Sequence, residues 1–450
     1  MPKLFGTDGV RGLANVELTP EIAYNLGRVG AFVLSKSINR KSKILIGKDT
    51  RISGYMLEAA LIAGICSAGV DVDLVGVIPT PGIAYLTKKN NYDAGIMISA
   101  SHNPFYDNGI KFFDRNGYKL SDELENKIEE IINSGSNKLI NATHEKLGIL
   151  KHRCELMNNY ENFLKSLFSD LNLSGLKIAL DCANGATFKI ASDIFKNLGA
   201  SVYAINNKPN GENINLNCGS THIDSLIKFV LNNACDIGFA FDGDGDRCLI
   251  VDDYGKAIYG DEILSIIGCY MRSKKILKSN AIVTTIMSNL GLFLMGKKEN
   301  INIIKTKVGD RYILEEMLKH DFNLGGEQSG HIILSDYNTT GDGILTALYV
   351  TRIVYENNKK IRDLNSVMQV MPQVLINAKV NNTRKHNYLF DPEIKNEIAN
   401  IEKKFENNGR VVIRPSGTEP LIRVMLEGQD KRLLNQEAQR LVNLIEKNLK

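Results

Sequence analysis

The sequence has no apolar run approaching the roughly 20 residues needed to span a bilayer, which excludes a helical membrane protein. It lacks an apolar leader too. Met1-Pro2-Lys3-Leu4-Phe5-Gly6 runs at once into a glycine-rich polar string, so the expectation is a mature domain from the first residues. Cysteine is scarce: seven residues, an odd total with no closely spaced pair, form neither a disulfide framework nor a zinc site. Cys66, Cys182 and Cys269 sit in apolar runs and read as core filler rather than nucleophiles. Excess charge is also missing. With 55 basic against 51 acidic residues the net charge is +4, and no long basic block exists, so nucleic acid is not an expected partner. The cytoplasm is the expected compartment.

What is present is a chain of 450 residues, too long for one core and of a length for about three domains. Hydrophobic residues make up 43% and charged residues 24%, ordinary for a globular protein. Three segments open alike, on the short apolar strands Lys43 to Gly47, Lys177 to Asp181 and Ala281 to Thr285. Each is followed by helical periodicity, as in Met56, Ala59, Ala60 and Ala63, then by a second strand near Val70 to Val77, Ser201 to Ile205 and Ile301 to Ile304. A third strand in each ends in a polar loop: Ser99 to Pro104, Asp242 to Arg247, and Gly325 to His331. Alternating strands and helices imply mainly parallel sheets, whose ligands gather outside the carboxyl ends of the strands. From about Met371 the pattern changes to a small α+β unit: a strand near Val374 to Val380, a helix near Pro392 to Phe405, strands flanking Arg414 to Glu419 and a last helix from about Asp430.

The loops carry chemistry. Asp242, Asp244 and Asp246 alternate with glycines, and three clustered carboxylates are costly unless a cation neutralises them. An all-oxygen set favours a hard ion, Mg²⁺ or Ca²⁺; a solvated acidic tip is the alternative. An EF-hand is excluded, because Arg247 and Asp253 stand where its glycine and glutamate belong. Ser101 follows a buried strand, with His102 beside it and Pro104 fixing the turn. A Ser-His pair alone is an ordinary loop, but near a cation site the serine becomes a candidate nucleophile. Glu327, Ser329 and His331 could bond sugar hydroxyls or an amine, or form a simple turn. Arg414, Ser416, Gly417 and Thr418, with Arg423 beyond, suit a phosphate dianion; the alternative is a capped turn with surface arginines.

Together these strings resemble the α-D-phosphohexomutase superfamily, in order along essentially the whole chain. Gly6 to Gly12 and Gly47 to Arg51 agree as well. The resemblance implies three similar α/β domains with mixed or parallel sheets plus a C-terminal α+β domain around a central cleft. The expected spans are 1–155 with the phosphoserine loop, 156–255 with the metal loop, 256–370 with the sugar loop and 371–450 with the phosphate-binding loop. It makes Ser101 a phosphoserine, and Asp242, Asp244 and Asp246 the ligands of one Mg²⁺ completed by the Ser101 phosphate. Arg11, Lys111 and His331 become participants in proton transfer or charge stabilisation, and Glu327 and Ser329 become sugar contacts. Arg414, Ser416, Gly417, Thr418 and Arg423 become the clamp for the phosphate not in transfer. Within the superfamily the strings are most similar to the branch acting on glucosamine phosphates. Gln328 supports this, since glucose and mannose mutases usually carry another residue there, and Asn213 to Gly219 fits too.

The implied activity is an isomerase reaction, glucosamine 6-phosphate to glucosamine 1-phosphate, feeding amino-sugar nucleotide and cell-wall precursor synthesis. A hexose 1,6-bisphosphate would be intermediate and activator. The partner expected is a small hexosamine phosphate, with a homodimer as candidate assembly. The alternatives are a phosphomannomutase/phosphoglucomutase on the same scaffold, a phosphatase, or a non-catalytic sugar-phosphate-binding protein.

Overall fold

The computed structural model describes residues 4–6, 8–35, 40–135, 139, 141–405, 409–416 and 419–450. Four sheets organise them. The first has six strands, from edge to edge Val10–Leu13, Asp107–Asp114, Ala94–Ile98, Lys43–Lys48, Asp71–Val77 and Leu150–His152. The second has five: Ala257–Ile258, Cys248–Asp252, Ile237–Phe241, Lys177–Asp181 and Ser201–Ile205. The third has four: Asn302–Thr306, Ala281–Thr285, Leu324–Gly326 and Ile332–Leu334. The fourth is an antiparallel sheet of Gln373–Lys379, Leu421–Glu427 and Arg410–Pro415, covered by the helices Pro392–Lys404 and Lys431–Leu449.

In each of the first three sheets a parallel core, built from the three strands of the repeat, is extended by an antiparallel return. Asp107–Asp114 runs back beside Ala94–Ile98, Cys248–Asp252 beside Ile237–Phe241, and Ile332–Leu334 beside Leu324–Gly326. The three polar loops are therefore hairpin connections at the carboxyl end of a parallel strand. The strands feeding them, such as Ile237–Phe241 and Ala94–Ile98, are buried throughout, as strands covered on both faces must be.

Side-chain packing divides the molecule unequally. One apolar cluster runs from Leu45, Ile83 and Phe113 through Tyr160, Phe195 and Phe239 to Ile282, Leu324 and Leu348, joining the first three sheets. The fourth sheet has a core of its own, with Ala378, Val424, Leu426, Leu434 and Leu441 at its centre. Its attachment to the third unit combines polar contacts with one small apolar cluster, Leu290, Phe293 and Met371. The Asn289 side chain holds both main-chain groups of Met371 (2.9 and 3.0 Å), and Arg410 joins buried Glu427 to the Ile286 and Ser288 carbonyls. Among the described residues no helix is long and apolar enough to cross a membrane.

Candidate active site

Ser101 sits three residues past the strand Ala94–Ile98, with a left-handed φ of +53°. A non-glycine residue holds that conformation only where its surroundings fix it. Here Ser99 Oγ accepts the Ser101 N–H at 2.9 Å, and the Ser101 hydroxyl donates to Asp242 Oδ2 at 2.6 Å. His102 Nδ1 lies 3.4 Å from the same hydroxyl. Burial, with Arg247 and Arg11 nearby, pushes the imidazole down to about 4, so it is neutral at pH 7.

The aspartate hairpin brings one carboxylate oxygen each from Asp242, Asp244 and Asp246 within 4.8 Å of one another, all three side chains buried. Burial and the other two carboxylates push Asp242 well above the ordinary carboxylate range. Asp246 goes the other way: against its burial, Lys111, His331 and Arg247 hold it low. Asp244 Oδ1 and Asp246 Oδ1 are buried with no hydrogen-bond partner. Orphaned buried oxygens in a cluster of hard donors fit a divalent cation of the Mg²⁺ type, which would satisfy them.

Lys111, on the returning strand Asp107–Asp114, is fully buried, 2.8 Å from Asp244 and 3.0 Å from Asp8. Its burial alone would lower the ammonium's pKa, but Asp244, Asp8 and Asp246 raise it well above the usual value, so it stays charged. Asp8 also pairs with Arg11 and Lys119. Lys119 reaches Asp310 as well, and Asp310 Oδ2 lies 3.5 Å from His331 Nε2. His331 packs against Gly341, where a Cβ would come within 2.5 Å of the ring; the Gly341 N–H donates to Nε2. Nδ1 faces Asp246 at 3.5 Å.

Above this charged floor lies a cavity of about 490 Å³. Its walls include Asp8, Arg11, His102, Asp246, Arg247, Asp310, Glu327 and His331. Glu327 accepts the Gly309 N–H at 3.2 Å, while Ser329 Oγ is buried and unpartnered. Of the expected residues of the first three units, Arg11, Asp246, Glu327 and His331 thus line the cavity, Ser101, Lys111, Asp242 and Asp244 are buried, and Ser329 is not on its wall. No residue of 371–450 lines the cavity among the described residues. Arg414 and Arg423 are exposed on the fourth sheet, Arg423 standing 3.8 Å from Glu419. Ser416 Oγ accepts the Glu419 N–H. Gly417 and Thr418 lie outside the described residues.

Sequence reasoning passed over Asp8, Lys119, Asp310 and Arg247 as site residues. Asp8 and Arg247 stand inside strings already singled out, next to chosen residues. Lys119 carried no signal, being one lysine after a turn, and its meaning comes from two carboxylates 111 and 191 positions away.

Four family descriptions match the chain in order. "Phosphoglucomutase/phosphomannomutase, alpha/beta/alpha domain I" covers residues 2–139, domain II 157–255, domain III 259–371 and the C-terminal domain 375–444. The chain is 54% identical over 450 residues to the phosphoglucosamine mutase of Clostridium tetani (strain Massachusetts / E88), and 56% identical over 451 residues to that of Clostridium botulinum (strain Loch Maree / Type A3). Both matches cover all of each chain. Among solved structures, a phosphoglucomutase/phosphomannomutase family protein of Burkholderia thailandensis superimposes with a TM-score of 0.81 at 21% identity, covering 100% of this chain and 98% of that one. The Aspergillus fumigatus N-acetylphosphoglucosamine mutase in complex with GlcNAc-6P and magnesium gives 0.71 at 17% identity, covering 99% and 96%. At those identities the two structures speak for the fold alone.

Proposed function

This chain belongs to the phosphoglucomutase/phosphomannomutase family, and from that premise we propose that it interconverts glucosamine 6-phosphate and glucosamine 1-phosphate through a phosphorylated Ser101. The substrate rests on full-length identity of 54 and 56% to phosphoglucosamine mutases. The chemistry rests on one observation above the others: the Ser101 hydroxyl, 2.6 Å from Asp242, stands where a buried aspartate cluster meets a sugar-sized cavity.

Phosphorylated Ser101 gives its phosphoryl group to O1 of glucosamine 6-phosphate. The Ser101 O–P bond breaks and the sugar O–P bond forms; the O1 proton leaves to a basic group of the site and a proton returns to the freed Ser101 oxygen to restore its hydroxyl, with Lys111 and His331 as the candidate carriers. The 1,6-bisphosphate turns over in the cleft, its 6-phosphoryl returns to Ser101, and glucosamine 1-phosphate leaves. Transfer of this kind depends mainly on positioning and charge neutralisation. Lys111, held charged between Asp244 and Asp8, supplies fixed positive charge beneath the serine. Arg11 and Arg247 add cations on the cavity wall, and Glu327 and Ser329 offer an acceptor and a free hydroxyl to the sugar. Asp242, Asp244 and Asp246, with an oxygen of the Ser101 phosphate, would hold Mg²⁺, which when bound neutralises charge on phosphoryl oxygens. Arg414, Ser416, Gly417, Thr418 and Arg423 are assigned the distal phosphate.

The test is ³¹P NMR of the purified protein with Mg²⁺ and a trace of hexose 1,6-bisphosphate, offered the 6-phosphates of glucosamine, glucose and mannose in parallel. Fastest formation of a 1-phosphate from glucosamine 6-phosphate is expected. Preference for glucose or mannose would replace the substrate and keep the Ser101 chemistry, whereas free phosphate alone would mean a phosphatase.

A further inference from the structure

The main chain of the serine loop is gripped from two sides. From its own unit, Arg51, fully buried, donates through Nη2 to the carbonyls of Ser101 and Asn103, both at 2.8 Å, and through Nη1 to the Asp107 carbonyl at 3.0 Å. Its Nε binds Asp49 at 2.8 Å, Asp49 accepts the Ser99 hydroxyl at 2.6 Å, and Ser99 accepts the Ser101 N–H. One network therefore holds both main-chain groups of Ser101. From the aspartate-bearing unit comes Asn215, whose Nδ2 donates to the same two carbonyls, Ser101 at 2.9 Å and Asn103 at 3.0 Å.

A carbonyl oxygen has two lone pairs, and here each of the two oxygens receives one donor from each unit. Asn215 is itself buried and fixed: its φ is +57°, a conformation asparagine tolerates well, and its N–H binds the Ala183 carbonyl at 2.9 Å. Gly243, between two of the aspartates, completes the junction, because a Cβ there would stand 2.6 Å from the Ser101 carbonyl and 2.8 Å from Asn215 Nδ2. Asn215 is thus the side chain tying the aspartate-bearing unit to the backbone of the residue it must face.

We propose that Asn215 is a positioning residue for phosphoryl transfer, which by its paired hydrogen bonds to the Ser101 and Asn103 carbonyls sets the placement of the Ser101 oxygen against the aspartate cluster. The inference rests on the phosphoserine reading above. It concerns the rate at which Ser101 gains and gives its phosphoryl group, not the affinity for sugar.

Two variants isolate the contact. Asn215→Gly removes the amide without straining a positive φ. Asn215→Asp keeps the shape and sets carboxylate oxygens against two carbonyls that need donors. Phosphorylation of Ser101 by glucose 1,6-bisphosphate is followed in a single turnover by intact-protein mass spectrometry, with kcat and KM for glucosamine 6-phosphate and a thermal melt alongside. Misplacement of reacting groups by about 1 Å can cost about 100-fold. The expected result is a fall of about that size in both the transfer rate and kcat, with KM within about threefold of the parent's. Parental transfer in a folded variant, or a raised KM with kcat intact, overturns the proposal. If Asn215→Gly does not fold, Asn215→Asp decides alone. A parent that takes the phosphoryl group but leaves glucosamine 6-phosphate unchanged removes the substrate reading, and the transfer rates still decide on Asn215. A parent that takes no phosphoryl group overturns both.

Discussion

Replacing Gly243 by alanine tests whether the serine and aspartate loops must touch as closely as they do. A Cβ at this position would lie 2.6 Å from the Ser101 carbonyl oxygen, 2.8 Å from Asn215 Nδ2 and 2.8 Å from Ile214 Cδ1. Ordinary contact begins near 3.4 Å, so the Ser101 carbonyl and Gly243 must separate by 3.4 − 2.6, about 0.8 Å. The carbonyl cannot simply yield, being held by Arg51 at 2.8 Å and Asn215 at 2.9 Å. Nor is the aspartate side free, since the Gly243 carbonyl accepts the Ala186 N–H at 2.8 Å. The separation therefore widens the approach of Ser101 Oγ to Asp242, now 2.6 Å. A shift approaching 1 Å at reacting groups predicts a loss of kcat of about 100-fold. Overpacking of this kind should also destabilise the fold by about 1–3 kcal/mol. KM for the sugar phosphate should change little, because Glu327 and the fourth-sheet loop are untouched. Initial rates by ³¹P NMR and an unfolding curve in urea measure both effects. A variant with kcat within about threefold of the parent's would show that the two loops need not meet this closely, and the positional account of catalysis would fail.

Ser101→Ala should abolish turnover and leave the melting temperature near the parent's; full residual activity would end the phosphoserine mechanism. Arg423→Ala removes an exposed side chain, so stability should hold. The loss of a charge-assisted contact, about 1.5–3 kcal/mol, should raise KM about 10- to 100-fold with Mg²⁺ affinity unchanged by titration; equal loss of both would argue against a dedicated clamp. Lys119→Met takes their shared cation from the half-buried Asp8 and Asp310, leaving Asp8 with Lys111 and Arg11. Loss of charge-assisted hydrogen bonds of this kind costs about 1.5–3 kcal/mol, read as a lowered urea midpoint; an unchanged midpoint would refute the bridge. Asp261 gives a pH test away from the cavity. Burial raises its carboxyl from the ordinary 3.8 to about 6, although the Asn289 N–H and Ser288 side chain oppose the rise. The folded state then holds this proton more tightly than the unfolded chain. Its stabilising contribution is full below about pH 4 and is lost as pH rises through about 6, a change of roughly 3 kcal/mol. Asp261→Asn should therefore gain about that much on the parent between about pH 4 and about pH 7, and a difference independent of pH would contradict the shift.

The parts legible in the sequence were those with a local signature. Lys177–Asp181 and Ala281–Thr285 are apolar runs bounded by polar residues, and both are strands over the spans expected. Ser101, the three aspartates and Glu327 to His331 stand in short strings whose composition is chemically unusual, and the fold brings them together. What had no local signature is pairing at a distance. Strand periodicity says which residues are covered and nothing about direction, so the antiparallel returns Asp107–Asp114 and Cys248–Asp252 were not foreseen. Lys119 reads as a surface lysine until Asp8 and Asp310 close on it. Asn215 lies in the Asn213 to Gly219 stretch that the resemblance marked without giving it a role, and that role follows only from Ser101, 114 positions earlier, arriving opposite it.

The packing also bears on how one serine can serve both ends of a sugar. The first three units share a continuous apolar core, and moving one against another would open it. That core fixes the distances the chemistry needs: Ser101 to Asp242, Lys111 to Asp244, His331 to Asp246. The fourth sheet stands outside it, with a separate core and a seam of hydrogen bonds built on Asn289, Arg410 and Glu427 beside one small apolar cluster, Leu290, Phe293 and Met371. Hydrogen bonds of a seam can exchange for water at modest net cost, about 0.5–1.5 kcal/mol each, whereas an apolar interface cannot. The clamp proposed for that unit would adapt to a phosphate on either carbon of the sugar while the transfer site stays rigid. On the proposed mechanism the two demands of a bisphosphate intermediate, fixed geometry at the reacting phosphate and tolerance at the other, fall on parts of the chain packed in two different ways.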